Sequence, residues 1–183
     1  VSTSVAKVRA SSWPANALLP PRCAAAATKA LCGRRNDMTP LWQLSARATA
    51  LAVGTRQLSA VEAARSVLQR LETVNPQLNA VIGHNTAWTL AQAEAVDRRV
   101  AAGEALPLAG VPITVKDNVW VSGQRITQGS QVFKNFVAPQ DAWSVARLKD
   151  LGAVIVGITN CSEFACKGVT NNRLQDRKST RLN

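Results

Sequence analysis

The sequence predicts an α/β protein in which a helical lead-in precedes a mixed, largely parallel sheet. Two observations carry this expectation. Up to about residue 105 the apolar residues mostly recur at helical spacing, whereas Val111–Val115 and Ala153–Ile158 are short apolar runs rich in β-branched residues, the pattern of buried strands. One amphipathic stretch, through Val145, Leu148 and Leu151, lies between the two runs. Strand, crossover helix and strand imply a parallel pair.

The elements follow in order. Thr39-Pro40, then Leu41, Leu44, Ala48 and Leu51, read as an N-cap, a proline at the first helical position and one helix ending near Gly54. Ser59 and Glu62 have capping-box spacing: the hydroxyl accepts from a free first-turn N–H while the carboxylate reaches back. Val61, Ala64, Val67, Leu68 and Leu71 form one apolar stripe, and Asn75-Pro76 predicts the end of that helix. Ala80–Gly83 is a short strand, and Thr86 to Ala102 a third helix closed by Gly103. Gly110 and Asp117-Asn118 bound the first buried strand; Asp141 is the expected cap of the crossover helix, which stops at Gly152.

At 183 residues the chain is one domain or a piece of a larger one. Its net charge of +11 invites a nucleic-acid partner, but the charge is unevenly placed. Residues 1–37 hold six basic residues and one acid, and residues 176–183 three and one. The span 38–175 keeps 13 basic and nine acidic residues, scattered rather than striped, so direct nucleic-acid binding is not expected. No apolar run reaches the ~18 residues of a membrane span. Cysteines at 23, 32, 161 and 166 with a single histidine, His84, lack zinc-site spacing, and they read as reduced thiols of a cytoplasmic protein.

Both ends read differently from the middle. Residues 1–37 are Pro/Ala/Arg-rich with no acid before Asp37, and Met38, which follows, is the only methionine. Such a composition fits a transit-like extension or an untranslated leader read in frame. The leader is favoured because Arg34-Arg35 can be encoded by AGG AGN, a bacterial ribosome-binding sequence, with Asn36-Asp37 as the spacer. Asp176–Asn183 back-translates to a common short-read sequencing adapter, whose preceding A completes a codon for Gln175. That tail is expected to be library sequence, which leaves 38–175 as the folded part.

Lys116 is the most informative candidate for chemistry, since it ends an apolar strand, where open α/β sheets bind ligands. Apolar surroundings there would favour the neutral amine, and Asp117 would oppose this. On the residues alone it also fits a solvated surface lysine. Gly129-Ser130, in the following loop, is either a ligand-facing donor group or a plain turn. His84 has no Ser or Cys at a recognisable spacing, and Gly152–Gly157 is not a dinucleotide fingerprint.

Pro107–Asn118 resembles the lysine-bearing segment of the amidase-signature family. The likeness continues in order through Gly129-Ser130, Asn135-Phe136, Asp141-Ala142, Leu151–Ala153, Gly157–Asn160, Glu163-Phe164 and Asn171-Asn172. It runs from Leu41 to Leu174 and is densest after Leu106. The resemblance implies the N-terminal portion of an α/β/α sandwich around a mixed sheet, and a Ser-cisSer-Lys mechanism. Lys116 would act through a bridging serine to activate a second serine, which attacks an amide carbonyl to give an acyl-enzyme. Backbone N–H groups would hold the oxyanion.

By the same resemblance Asp117 and Asn118 order the adjoining loop. Glu163, Phe164, Ala165 and Cys166 approach the acyl pocket, with Cys166 standing where relatives often carry another residue. The Gly-Gly-Ser-Ser-Gly-Gly-like stretch that should begin shortly after Asn172 is not reached, since the chain turns through Arg173-Leu174-Gln175 into the tail, so both serines are missing and this chain is expected to be inactive. The implied parent is an amidase acting on a small or aryl amide, without a cofactor. The alternatives are the A subunit of a tRNA-dependent amidotransferase, which passes ammonia from glutamine to a partner subunit, and a non-catalytic scaffold relative. A homodimer stays open, and nucleic acid enters only indirectly, through the amidotransferase reading. Half a sheet would also leave a strand edge unpaired, which predicts poor solubility.

Overall fold

In the computed structural model, which describes residues 40–175, the first α-helix starts later than apolar spacing predicts. Leu41–Gln43 form a 3-10 turn, Leu44 is extended, and α1 (Ala46–Gly54) begins behind Ser45. The Ser45 hydroxyl accepts from the N–H of Ala48 at 3.2 Å, so a serine cap interrupts what apolar spacing alone reads as one helix. The leader and adapter readings concern residues outside the described ones.

The capping box is present at the start of α2 (Ala60–Leu78). Ser59 Oγ accepts from Glu62 N at 3.0 Å and Glu62 Oε2 accepts from Ser59 N at 2.9 Å. A second carboxylate, Asp97, reaches across to accept from Ala60 N at 2.7 Å, placing negative charge where the helix dipole favours it. Contrary to expectation, α2 does not end at Asn75-Pro76 but runs on to Leu78, with Pro76 inside its last turn. Pro76 and Glu72 are both exposed, so water can take the carbonyl that the missing N–H leaves free. Asn75 meanwhile holds the exit: its Oδ1 accepts from Val81 N at 3.0 Å and its Nδ2 donates to Val81 O at 2.8 Å.

The Ser59 bonds, backbone first and hydroxyl second, hold the Glu62 carboxyl below its ordinary range. A lowered folded value stabilises the protein above the unfolded glutamate range, and that contribution is lost as pH falls through the folded value. Ser59→Ala is expected to cost roughly 1 kcal/mol and, because the backbone N–H that contributes most is retained, to flatten the acid limb of the thermal midpoint only in part below about pH 5. Melting curves of both proteins between neutral pH and about pH 3 check this; an unchanged acid limb would refute it.

The short strand β1 (Val81–Gly83) leads into α3 (Thr86–Ala101), capped by Asn85, whose Oδ1 accepts from Trp88 N at 3.0 Å. The strand β2 (Pro112–Lys116), the crossover helix α4 (Trp143–Asp150) and β3 (Val154–Thr159) complete the fold. Asp141 is not the cap of α4, whose N-cap is Ala142 without a side-chain bond. It instead accepts from Ser122 N at 2.7 Å and pairs with Lys149 at 2.7 Å, tying the β2–α4 loop to the helix. Arginines close two helix ends across the fold. Arg56 donates to the carbonyls of Val100 and Ala101 at 3.0 and 2.9 Å, and Arg99 to those of Lys149 and Asp150 at 3.2 and 2.7 Å.

The described strands make a mixed sheet of order β1-β3-β2, with β1 antiparallel and β2 parallel to the central β3. Val154 through Ile158 are all buried. Val154 packs with Val53, Ala64, Ala93 and Val96, and Ile155 with Val115, Val121, Ile126 and Val145, as alternation across a pleat requires. Gly157 serves this packing: a Cβ there would stand 2.6 Å from Val81 Cγ1 and 2.9 Å from Gly83 O. β2, expected to be a buried strand, is an edge among the described residues, and its Thr114 and Lys116 are exposed. No described strand covers its far side.

Candidate active site

Because β2 and β3 are parallel and Lys116 pairs with Thr159, both strands end together and their following loops leave from one edge. Asp117, the first residue past β2, is fully buried and turns the chain. Its N–H donates to Thr159 O at 2.9 Å. Its carboxylate accepts from Thr127 N at 2.7 Å, from Gly129 N at 3.2 Å and, through a very short bond, from the Thr127 hydroxyl. A buried carboxylate is tolerable only when so bonded. The expectation that Asp117 orders this loop therefore has a geometric basis, and Thr127 is the partner that residue spacing does not reveal. Asn118 is exposed, and its N–H donates to Lys116 O at 2.7 Å.

The loop after β3 docks against the one Asp117 holds. Gly129 has φ +65°, and a Cβ on it would lie 2.9 Å from Cys161 O and 3.1 Å from Glu163 N, so the two backbones touch. Ser130 Oγ donates to Glu163 Oε1 at 2.9 Å, and Phe164 N donates to Gln128 O at 2.8 Å. Gln128, Phe164 and Ala165 all have left-handed φ, at 53°, 52° and 57°. Non-glycine residues in that region are uncommon and cluster at functional sites. Gly129 and Ser130 thus meet Glu163, Phe164 and Ala165, but Ser130 is buried and the Gly129 N–H is already engaged. Of the two readings open to them, ligand donor or turn, the geometry supports the turn.

A third strand-end feature has no counterpart in the sequence beyond the bare match of its residues. Asn172 Nδ2 donates to Asn160 Oδ1 at 2.8 Å and to Cys161 O at 2.7 Å. Asn172 Oδ1 accepts from Leu174 N at 2.9 Å and Gln175 N at 2.6 Å, and Asn160 Nδ2 donates to Gln175 O at 2.8 Å. The returning chain is thereby fixed to the end of β3.

Lys116 stands at this edge with its side chain exposed. The apolar surroundings expected around it from the strand's composition are not supplied by residues 40–175. Cys161 is buried, and burial first and the Asp117 charge second push its thiol up, with Lys116 acting in the opposite sense. Cys166 is exposed at the outer end of the loop, its Sγ 3.7 Å from Phe164 O. Alkylation follows the thiolate, so iodoacetamide at neutral pH is expected to modify Cys166 well before Cys161. Peptide mapping over time reads the order; equal rates in the folded protein would contradict the burial described.

Phe164 also joins Phe133 edge to face at 6.2 Å between ring centroids, yet it remains half exposed, as Val132 and Val169 are exposed nearby in the chain. His84 is exposed. No helix among the described residues is long and apolar enough to cross a membrane.

A family model described as Amidase matches residues 62–177. The chain is 49% identical over 110 residues to the A subunit of a glutamyl-tRNA(Gln) amidotransferase from Geobacter metallireducens, covering 60% of this chain and 23% of that protein. It is 43% identical over 136 residues to an indoleacetamide hydrolase of Bradyrhizobium diazoefficiens, covering 74% and 26%. The solved structure of a native peptide amidase from Stenotrophomonas maltophilia superposes with a TM-score of 0.63 at 31% identity, over 68% of this chain and 26% of that one. The chain thus spans about a quarter of the length of the proteins it matches.

Proposed function

Starting from a chain that belongs to the amidase family, we propose that the full-length protein hydrolyses a carboxamide C–N bond, with Lys116 as the base of a Ser-cisSer-Lys mechanism. The observation that carries this reading is the position of Lys116 at the carboxyl end of β2. It lies in register with Thr159 of β3, on the edge where the 117–130 and 160–166 loops interlock. A lysine there can take a proton from a serine hydroxyl presented above the strand ends and return it to the leaving amine. Asp117 contributes by fixing the turn that follows the lysine; its oxygens are occupied by Thr127 and Gly129. The loop at Glu163–Cys166 borders the acyl side, where half-exposed Phe164 offers an apolar wall to a substrate.

The residues described contain the base and its support but not the two serines. Accordingly this chain by itself is expected to release no ammonia above its Lys116→Ala control, whereas the full-length protein releases it from at least one amide. The deciding assay is ammonia release from L-glutamine, an aryl amide and a peptide amide. Inactivity of the full-length protein on all three would defeat the proposal.

A standalone amidase for a small or aryl amide is the leading form of this reading, supported by the likeness to the indoleacetamide hydrolase and the peptide amidase. The 49% identity to an amidotransferase A subunit supports a second form, in which glutamine is the amide and ammonia passes to a partner subunit. Dependence of glutamine turnover on added partner subunits separates the two. A scaffold without catalysis would have no use for a lysine at that strand end.

A further inference from the structure

We infer that Asn160 and Asn172 form a positioning clamp, one that fixes where the chain beyond Gln175 enters relative to Lys116. The inference rests on the amidase reading above and adds two residues to it. The clamp is close to saturated. Both Asn172 N–H donors and both lone pairs of its Oδ1 are used, on Asn160 Oδ1, Cys161 O, Leu174 N and Gln175 N. Asn160 Oδ1 accepts from Asn172 and from Cys161 N at 2.9 Å, while its Nδ2 holds Gln175 O. An amide at each position donates and accepts at once. At Asn172 neither a carboxylate nor a hydroxyl supplies two donors and two lone pairs, and at Asn160 a carboxylate would lose the bond to Gln175 O.

The location gives the clamp its meaning. Asn160 directly follows Thr159, the register partner of Lys116, and its own N–H is tied to Ala80 O at 2.8 Å. It is therefore anchored to the end of the central strand. Asn172 reaches it from 12 residues further on, after the strained Glu163–Cys166 loop, and brings Leu174 and Gln175 back to the same edge. The bonds to Leu174 and Gln175 all fall on backbone atoms, so they set the direction of the chain whatever side chains follow. In the full-length protein the serine-bearing segment would begin there, and a base works only on a hydroxyl within hydrogen-bond reach. The clamp would thus decide whether the serines meet Lys116.

The test uses the full-length protein with Asn172→Ala, Asn160→Asp and, separately, Lys116→Ala. Steady-state kinetics, the rate of labelling by a serine-directed fluorophosphonate, and amide hydrogen exchange of the peptide containing Leu174 and Gln175 are measured on folded enzyme. Misplacement by about an ångström can cost ~100-fold, so each Asn variant is expected to lower kcat and the labelling rate together by about 10- to 100-fold. KM should stay within about twofold, and exchange at Leu174 and Gln175 should quicken. A merely structural role would lower the folded fraction and leave labelling per folded molecule unchanged, and that result overturns the inference. If Asn172→Ala does not fold, Asn160→Asp, which replaces the bond to Gln175 O by a carboxylate oxygen facing that carbonyl, decides alone. Wild-type turnover by Lys116→Ala would sink the amidase reading itself, while unchanged exchange in the Asn variants would sink the clamp whatever Lys116 does.

Discussion

Lys116→Ala in the full-length protein is expected to lower amide turnover by a factor on the order of 10²–10⁴, the range that a positioned acid–base group contributes. Lys116→Arg should be as damaging, because a guanidinium keeps the positive charge but does not give up its proton in a protein. The pair of variants separates two roles. If arginine retained turnover, the lysine would be a fixed charge that steadies an anion rather than a base. In the 183-residue chain neither substitution should shift the thermal midpoint much, because the side chain is exposed and no described hydrogen bond or ion pair engages its amine; such surface changes stay within about 0.5 kcal/mol. A large loss of stability would mean that Lys116 holds the fold and that the kinetic effect is secondary.

Gly129→Ala is expected to cost several times the stability that an exposed substitution does. It combines a left-handed backbone, φ +65°, with a Cβ 2.9 Å from a carbonyl oxygen and 3.1 Å from an amide nitrogen, both backbone atoms of the neighbouring loop. Left-handed conformation costs an L-residue roughly 1–2 kcal/mol, and overpacking against atoms that cannot rotate away adds about 1–3 kcal/mol. Gly123 supplies the control. Its φ is +74°, but nothing lies within 4 Å of its Cβ position, so Gly123→Ala carries the conformational part alone. Urea denaturation of both variants should find Gly129→Ala the less stable by more than about 1 kcal/mol. Equal losses would mean that the two loops do not touch as described.

The features legible in the sequence are those written in local chemistry. Ser59 and Glu62 announce a capping box by their spacing alone, Gly103 closes its helix, and the β-branched runs at 111–115 and 153–158 mark the parallel pair. The departures share a cause. Helical spacing through Leu41, Leu44, Ala48 and Leu51 hides the Ser45 cap, because periodicity reports which face is apolar and not whether the backbone is continuous. Pro76 reads as a stop, whereas at an exposed last turn the missing N–H costs little. Asp141 has the position of a helix cap, while Ser122 and Lys149 hold it.

At the site, Lys116, Asp117, Gly129 and Glu163 stand out through the ordered likeness to a family. Local pattern gives only the strand end. The partners that give these residues their geometry are out of its reach: Thr127 lies ten residues from Asp117, and Asn172 lies 12 from Asn160. No spacing rule links such pairs, since each meets only when the segment that follows its strand folds back on itself.

The cross-fold capping has a consequence for how the protein comes apart. Asp97 of α3 secures the start of α2, Arg56 behind α1 secures the end of α3, and Arg99 of α3 secures the end of α4. A helix normally frays from its ends at little cost, because the terminal N–H and C=O groups simply exchange a weak partner for water. Here each of these three ends, if it frays, must also release a charged side chain held in or just behind another helix, so loosening spreads from one helix to the next. Local opening is thereby coupled to global unfolding, and α1 to α4 should be lost in one cooperative step, with the sheet they cover.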